Sequence, residues 1–191
     1  MIGALLAAPP RLGRVRVLAI DGPSGAGKST LAAQVVAGLE ARGCRTALVS
    51  TDAFATWDDP VAWWPRLVDG VLRPLGDGVA GAYRRMDWTT GVPRPGELVR
   101  VPVPDVLVLE GVSSGRTSVR PLLSGLCWLS GGSEAERLAK TVARDGEGAR
   151  AELARWQRFE RGWFAVDGTA GAAASRLSED SSPSPSVHGL P

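Results

Sequence analysis

A chain of 191 residues is long enough for one α/β domain with a full hydrophobic core and too short for two domains of ordinary size. Its 22 basic and 20 acidic side chains leave a net charge of +2, so nothing electrostatic points to nucleic acid or a membrane surface as partner. The only cysteines, Cys44 and Cys127, flank apolar runs without metal-ligand spacing, and reduced, buried thiols are expected rather than a disulfide framework.

Residues 1–14 read as a ragged terminus. Met1 to Pro10 is apolar, but no basic residue precedes its apolar stretch, and Pro9 and Pro10 stand where a leader cleavage site would need small residues. Nothing elsewhere approaches the roughly 18 apolar residues that a membrane span needs, so a cytoplasmic protein is expected.

Val15 to Ile20 is a short apolar, β-branched run that flows straight into DGPSGAGKST, as a buried parallel strand entering a phosphate-binding loop does. From Lys28 to Arg42, Leu31, Val35 and Leu39 recur every four residues, which predicts a helix ended by Gly43. Thr46 to Ser50 is a second strand. The Pro-, Gly- and Trp-rich stretch from Asp52 to Pro104 is unusually long for a connection; one or two helices are expected in it, for example around Val61 to Leu72, with an edge hairpin near Ala82 to Trp88.

Val106 to Glu110 is the clearest central strand, continuously apolar and ending on one carboxylate, and Leu126 to Leu129 is a fourth. Helices follow over Glu134 to Asp145, with Leu138 and Val142 on one face, and over Ala149 to Phe164, with Leu153, Trp156 and either Phe159 or Glu160 at helical spacing. Composition then shifts to Gly, Ala, Ser and Pro. The domain is therefore placed at residues 15–167, and residues 168–191 are expected to be a disordered tail.

Gly22 to Ser29 satisfies GxxxxGK[ST] in the setting that gives this motif its meaning, an apolar strand before it and an amphipathic helix after it. Gly22, Gly25 and Gly27 permit backbone angles and close approach that a Cβ would obstruct, so consecutive N–H groups can face phosphate oxygens. The helix starting near Lys28 adds its positive dipole end. Gly22, Pro23, Ser24, Gly25, Ala26, Gly27, Lys28, Ser29 and Thr30 are the expected nucleotide-binding residues. Within them Lys28 would span the β- and γ-phosphates, the Ser29 hydroxyl would complete a magnesium shell, and Thr30 is a further candidate for an α-phosphate contact.

Glu110 and Asp52 end two strands on the edge where open α/β folds collect their ligands. For Glu110 the readings are a carboxylate holding magnesium through water or a solvated strand end. For Asp52 they are a base accepting the proton of an attacking hydroxyl, a magnesium ligand, or the cap of a turn or helix.

In order along the chain, GPSGAGKST, Thr51-Asp52-Ala53-Phe54 after the second strand, Tyr83 to Trp88, VLVLEG, and Arg137-Leu138 to Arg144-Asp145 resemble the uridine kinase family over about Val15 to Asp167. The resemblance implies a three-layer P-loop fold of the nucleoside and nucleotide kinase type, a central parallel sheet flanked by helices. It further implies ATP and magnesium as cofactors and a small hydroxyl-bearing acceptor, a nucleoside or nucleotide. By position, Asp52 resembles the family's catalytic Asp, Glu110 the Glu of its apolar-strand-Glu-Gly segment, and Arg137 and Arg144 the arginines of its lid helix. Ala55 stands where that family has Tyr, no His follows Tyr83 and Asp87, and no closing strand is recognisable after Asp167. The alternative is a nucleotide-binding switch or ATPase module that lacks acceptor chemistry.

Among weaker signals, Arg150, Arg155, Arg158 and Arg161 read as a solvated helix face, and Tyr83, Arg84, Arg85, Asp87 and Trp88 as either an acceptor-binding patch or a packed hairpin. Of Trp57, Trp63 and Trp64, at least two are expected in the core. Leu129 to Arg137 (LSGGSEAER) resembles the signature of ABC-transporter ATPases, but it follows Glu110 instead of preceding it. It reads as a strand end, a glycine turn and a helix capped by Ser133.

Overall fold

The computed structural model describes residues 1–177. Five parallel strands form its centre in the order β2-β5-β1-β6-β7: β1 (Arg16–Asp21), β2 (Thr46–Ser50), β5 (Val106–Glu110), β6 (Gly125–Leu129) and β7 (Ser175–Leu177). Residues 17–20 of β1 and 106–109 of β5 are continuously apolar because both faces of these strands are covered. Val17, Ala19, Leu107 and Leu109 point into one core layer; Leu18, Ile20, Val106 and Val108 point into the other.

The second layer is closed by α1 (Ile2–Ala7) and α2 (Lys28–Glu40), through Leu5, Ala32, Val35 and Leu39. Residues 1–14, expected to be ragged, thus include a short helix whose Leu5 is buried, followed by Leu12 and Val15 bridged to each other and sunk in the first layer. An apolar terminus has core surface to cover, and burial of Leu5 organises it.

The first layer is closed by the long connection after β2. It begins with a single 3-10 turn at Thr51–Ala53, then a continuous helical rod of α3 (Trp64–Leu67), a π-segment (Val68–Leu72) and α4 (Arg73–Gly76). The rod starts three residues later and ends four later than the expected helix at 61–72. Its π-segment lies just before Pro74, which has no N–H to continue the α-helical ladder. A two-stranded antiparallel hairpin follows, β3 (Gly81–Asp87) with β4 (Arg94–Val101), bulged between Arg84 and Met86. Gly70 and Gly81 let the rod and the hairpin touch backbone to backbone: a Cβ on either would come within 2.5 Å of a carbonyl oxygen of the other element.

Beyond β6 lie α5 (Glu134–Asp145), α6 (Arg150–Asp167) and α7 (Thr169–Ala172). Helix α5 opens with a capping box in which Ser133 and Glu136 satisfy each other's backbone N–H groups, so the LSGGSEAER segment is a strand end, a turn and a capped helix. On α6 the buried position at the end of the apolar spacing is Glu160, not Phe159, which is 37% exposed.

The expectation of a tail from residue 168 needs correcting for its first ten residues. Helix α7 seats Thr169 in the interior, and β7 adds a fifth strand beside β6. Three residues of Ser, Arg and Leu carry too little pattern to announce a strand; the exposed ladder edge of β6 selects them. The remainder of that segment, including His188, lies outside the described residues.

Candidate nucleotide and acceptor site

Strand β1 ends on Asp21, and the chain turns at once through Gly22, whose φ of +147° is closed to side chains and whose Cβ would run into the Leu129 carbonyl oxygen. The loop closes at Gly27, which caps α2 in the left-handed region. The first intrahelical bond runs from the Leu31 N–H to the Gly27 carbonyl at 3.1 Å, so the amides of the first turn, Lys28 to Thr30, precede the ladder and face outward from it. The Lys28 ammonium folds back over its own loop and donates to the Pro23 carbonyl at 2.9 Å; its side chain is nearly buried.

The carboxylates expected beside this loop are brought to it. Strands β2 and β5 pair with Ser50 opposite Glu110, which sets Asp52 just beyond the end of β5. Glu110 is 5% exposed, its Oε2 is 3.4 Å from the Ser29 hydroxyl, and Ser50 is within hydrogen-bonding reach. Burial pushes the Glu110 carboxyl above its usual range and the Asp52 charge adds to this, against the pull of Ser50, Lys28 and Ser29. Asp52 is exposed, and its N–H is held by the Ser50 hydroxyl at 3.3 Å.

The two lid candidates differ. Arg144, near the end of α5, is paired with Asp145 at 2.6 Å and also feels the charges of Asp52 and Glu110. Arg137 is spent on the turn before its own helix, donating to the carbonyls of Ser130 at 3.4 Å and of Gly132, with its backbone oxygen 2.6 Å from where a Cβ on Gly25 would stand. It therefore abuts the loop at Gly25. Its Nε is buried without a partner. Arg150, Arg155 and Arg161 pair with Glu147, Glu152 and Glu134, and Arg158 is exposed, as a solvated face requires.

Two further acids belong to the site and were not singled out from sequence. Asp21, fully buried, accepts N–H bonds from Gly22 at 2.7 Å, Ser113 at 3.0 Å and Gly115 at 2.8 Å, locking the start of the phosphate loop to the loop after β5. Ser113 takes φ +68° to present its amide. Burial raises Asp21 to about 7 despite these donors and the Lys28 charge. Glu160, from α6, accepts the Ser24 N–H at 3.0 Å and the Ser24 hydroxyl. For Asp21 the signal was its place at the strand end, one residue before the motif. For Glu160 it was the seven-residue spacing from Leu153.

The other wall comes from the 52–63 segment and the hairpin. Phe54 stacks on Trp63 and Tyr83 with ring centres 5.3 and 4.7 Å away, and all three are buried, as is Ala55. Tyr83 is thus core, and the patch reading fails for it. Arg84, Arg85 and Asp87 are exposed on the hairpin, with Arg84 on the Gly96 carbonyl and Asp87 accepting from Thr89. Trp57 is half-buried between Trp88 and Trp156 at 5.0 and 6.0 Å. Trp64 and Trp163 sandwich the Arg116 guanidinium at 4.7 and 4.8 Å while it donates to the Val61 carbonyl.

The donor set suits a magnesium nucleotide. The Arg137 Nε is buried and unpartnered on a residue that abuts the loop, and Ser29 and Glu110 offer hard oxygens. Among the described residues no three His, Cys, Asp or Glu side chains form a metal cage of their own. A magnesium ion carried by a phosphate chain needs only one or two protein oxygens, because it keeps several waters. Among the described residues no helix is long and apolar enough to cross a membrane.

No family model and no curated protein matches the chain. Solved structures do match. A chain described as a possible uridine kinase from Bacillus stearothermophilus superposes with a TM-score of 0.61 at 19% identity, over 85% of this chain and 88% of that one. A candidate fructose transport system kinase from Silicibacter sp. TM1040 gives 0.58 at 19% identity, over 93% of this chain and 96% of its own. At such identity the likeness is one of fold, an α/β unit with a central parallel sheet flanked by helices, as in P-loop kinases.

Proposed function

We propose that this protein transfers the γ-phosphoryl group of magnesium-bound ATP to a small hydroxyl-bearing acceptor of the nucleoside or nucleotide class. One observation carries the reading: Lys28 and Ser29 from the first turn of α2, Asp52 from the turn after β2 and Glu110 from the end of β5 share a single electrostatic neighbourhood on the carboxyl edge of the sheet. Bound magnesium would neutralise β- and γ-phosphate charge, with Ser29 and Glu110 as its protein contacts and Asp52 as a further candidate. On binding, the Lys28 ammonium exchanges the Pro23 carbonyl for phosphate oxygens.

Asp52, exposed beside that point, accepts the proton of an incoming hydroxyl. Arg144 supplies positive charge from α5 when it leaves Asp145. Arg137, which abuts the loop at Gly25, is the second lid arginine. The resemblance to uridine kinases and the kinase-like fold support this reading at the level of phosphoryl transfer; the nucleoside or nucleotide acceptor rests on the sequence resemblance.

The test is ADP release from magnesium-ATP in the presence of nucleosides, nucleoside monophosphates, sugars and vitamin precursors. Stimulation by a nucleoside or nucleotide is expected. Release that no acceptor stimulates would instead favour an ATPase or switch.

A further inference from the structure

Among the described residues, Glu160 carries the one carboxylate that hydrogen-bonds the phosphate loop from outside the central sheet. It is 1% exposed, and a carboxylate so deep in the protein costs several kcal/mol unless its oxygens are satisfied. The satisfaction is specific. One oxygen accepts the Ser24 N–H at 3.0 Å and the other accepts the Ser24 hydroxyl, while the Trp156 indole N–H, one helical turn earlier on α6, lies within hydrogen-bonding reach of the same group. Lys28 is the charge it faces across the loop.

Ser24 sits midway between Gly22 and Gly25, two of the loop's three positive-φ corners. A glycine turn of this kind gains amide convergence at the cost of freedom, so something must hold it in one shape when empty. Asp21 holds its start through the Gly22 N–H, and Gly27 is fixed by α2. The stretch between them has an internal bond from the Ala26 N–H to the Pro23 carbonyl, Lys28 of α2 donates to the same carbonyl, and Glu160 holds Ser24 from α6. The same helix continues the contact: Trp156 packs on Trp57, which packs on Trp88, so the loop is braced against the wall formed by the 52–63 segment and the hairpin.

We propose that Glu160 is a positioning residue of the phosphate loop, fixing its Ser24 corner from α6 with Trp156 steadying the carboxylate, so that polyphosphate affinity depends on a residue that touches no phosphate. The inference rests on the polyphosphate reading above for its consequence, and on geometry alone for the positioning.

Hydrogen exchange of the loop amides in the nucleotide-free protein separates the two. Glu160→Ala should speed exchange across residues 22–27 by about tenfold or more, whereas Glu160→Gln, whose amide oxygen still accepts the Ser24 N–H, should stay within about threefold of the parent. Ser24→Ala and Trp156→Phe should give intermediate rates, and Ser24→Ala combined with Glu160→Ala should exchange no faster than Glu160→Ala alone, because the two act through one contact. Magnesium-ATP affinity, read by calorimetry, should follow the same order.

If Glu160→Ala fails to fold, Ser24→Ala and Trp156→Phe carry the test in its place. Loop exchange unchanged in folded Glu160→Ala, or Gln behaving like Ala, or additive Ser24 and Glu160 effects would overturn the proposal. A parent protein that binds no magnesium-ATP while its exchange pattern follows the predicted order would sink the polyphosphate reading and leave the positioning intact.

Discussion

At Asp21 three backbone N–H groups and the Lys28 charge favour the carboxylate, yet burial outweighs them and holds the group at about 7. The native protein therefore keeps this proton over an interval in which the unfolded chain, titrating near 3.8, has released it. Stability should fall as pH rises from about 4 to about 7 and level off above. Asp21→Asn should make that slope shallower in urea-unfolding midpoints taken across the range, the remaining slope belonging to Glu110 and Glu160, which burial raises in the same direction. At low pH it should also lower stability, since an amide nitrogen cannot accept the Gly115 N–H that one carboxyl oxygen takes. A slope identical to the parent's would contradict the assignment. The residue roles at the site predict a different split. Lys28→Ala should weaken magnesium-ATP binding by more than tenfold, whereas Asp52→Asn should bind normally and lose transfer; direct binding and single-turnover ADP release distinguish the two. Unchanged turnover in Asp52→Asn would remove it from the role of base.

Elements hold these side chains by short-range devices whose contributions can be measured. Helix α5, which carries Arg137 and Arg144, starts at the Ser133–Glu136 capping box. Ser133→Ala should cost about 1 kcal/mol in chemical denaturation. Gly22→Ala places a methyl group against the Leu129 carbonyl at φ +147° and should cost roughly 1–3 kcal/mol while weakening nucleotide binding, because β6 and the loop cannot both stay where they are. Substitution of Gly43 is the control, for its Cβ would meet open space and only its φ of +77° resists. The strands and α5 were legible because their signals are local: Val106 to Glu110 and Thr46 to Ser50 have the bounds their apolar runs suggest, and α5 has those its cap and charges suggest. Helices α1 and α7 and strand β7 were not, since each is short and gains its stability from a surface supplied by distant residues. The π-segment and the Gly70–Gly81 contact belong to the same class.

Across the whole molecule, the glycine loop and the strand ends beside it could be read from the chain and the aromatic wall could not. GPSGAGKST states its own geometry, and the register of β1, β2 and β5 then makes Glu110 a neighbour of Lys28 and Asp52 a neighbour of Glu110. Asp21 and Glu160 escaped notice because a buried acid inside an otherwise apolar spacing looks like an interruption until its partners, Ser113 and Ser24, arrive from 92 and 136 residues away. The aromatic wall is likewise a product of tertiary contact, with Tyr83 drawn inward onto Phe54 and Trp57 left between two indoles. What unites the parts is a glycine loop with acids gathered around its lysine, which we propose to be a polyphosphate cradle. Titration calorimetry of the full chain with ATP, with and without magnesium, addresses that cradle most directly: saturable heat at one site per chain, strengthened by magnesium and lost in Lys28→Ala, is the predicted result. Absence of saturable heat with magnesium-ATP, or equal binding in Lys28→Ala, would contradict it.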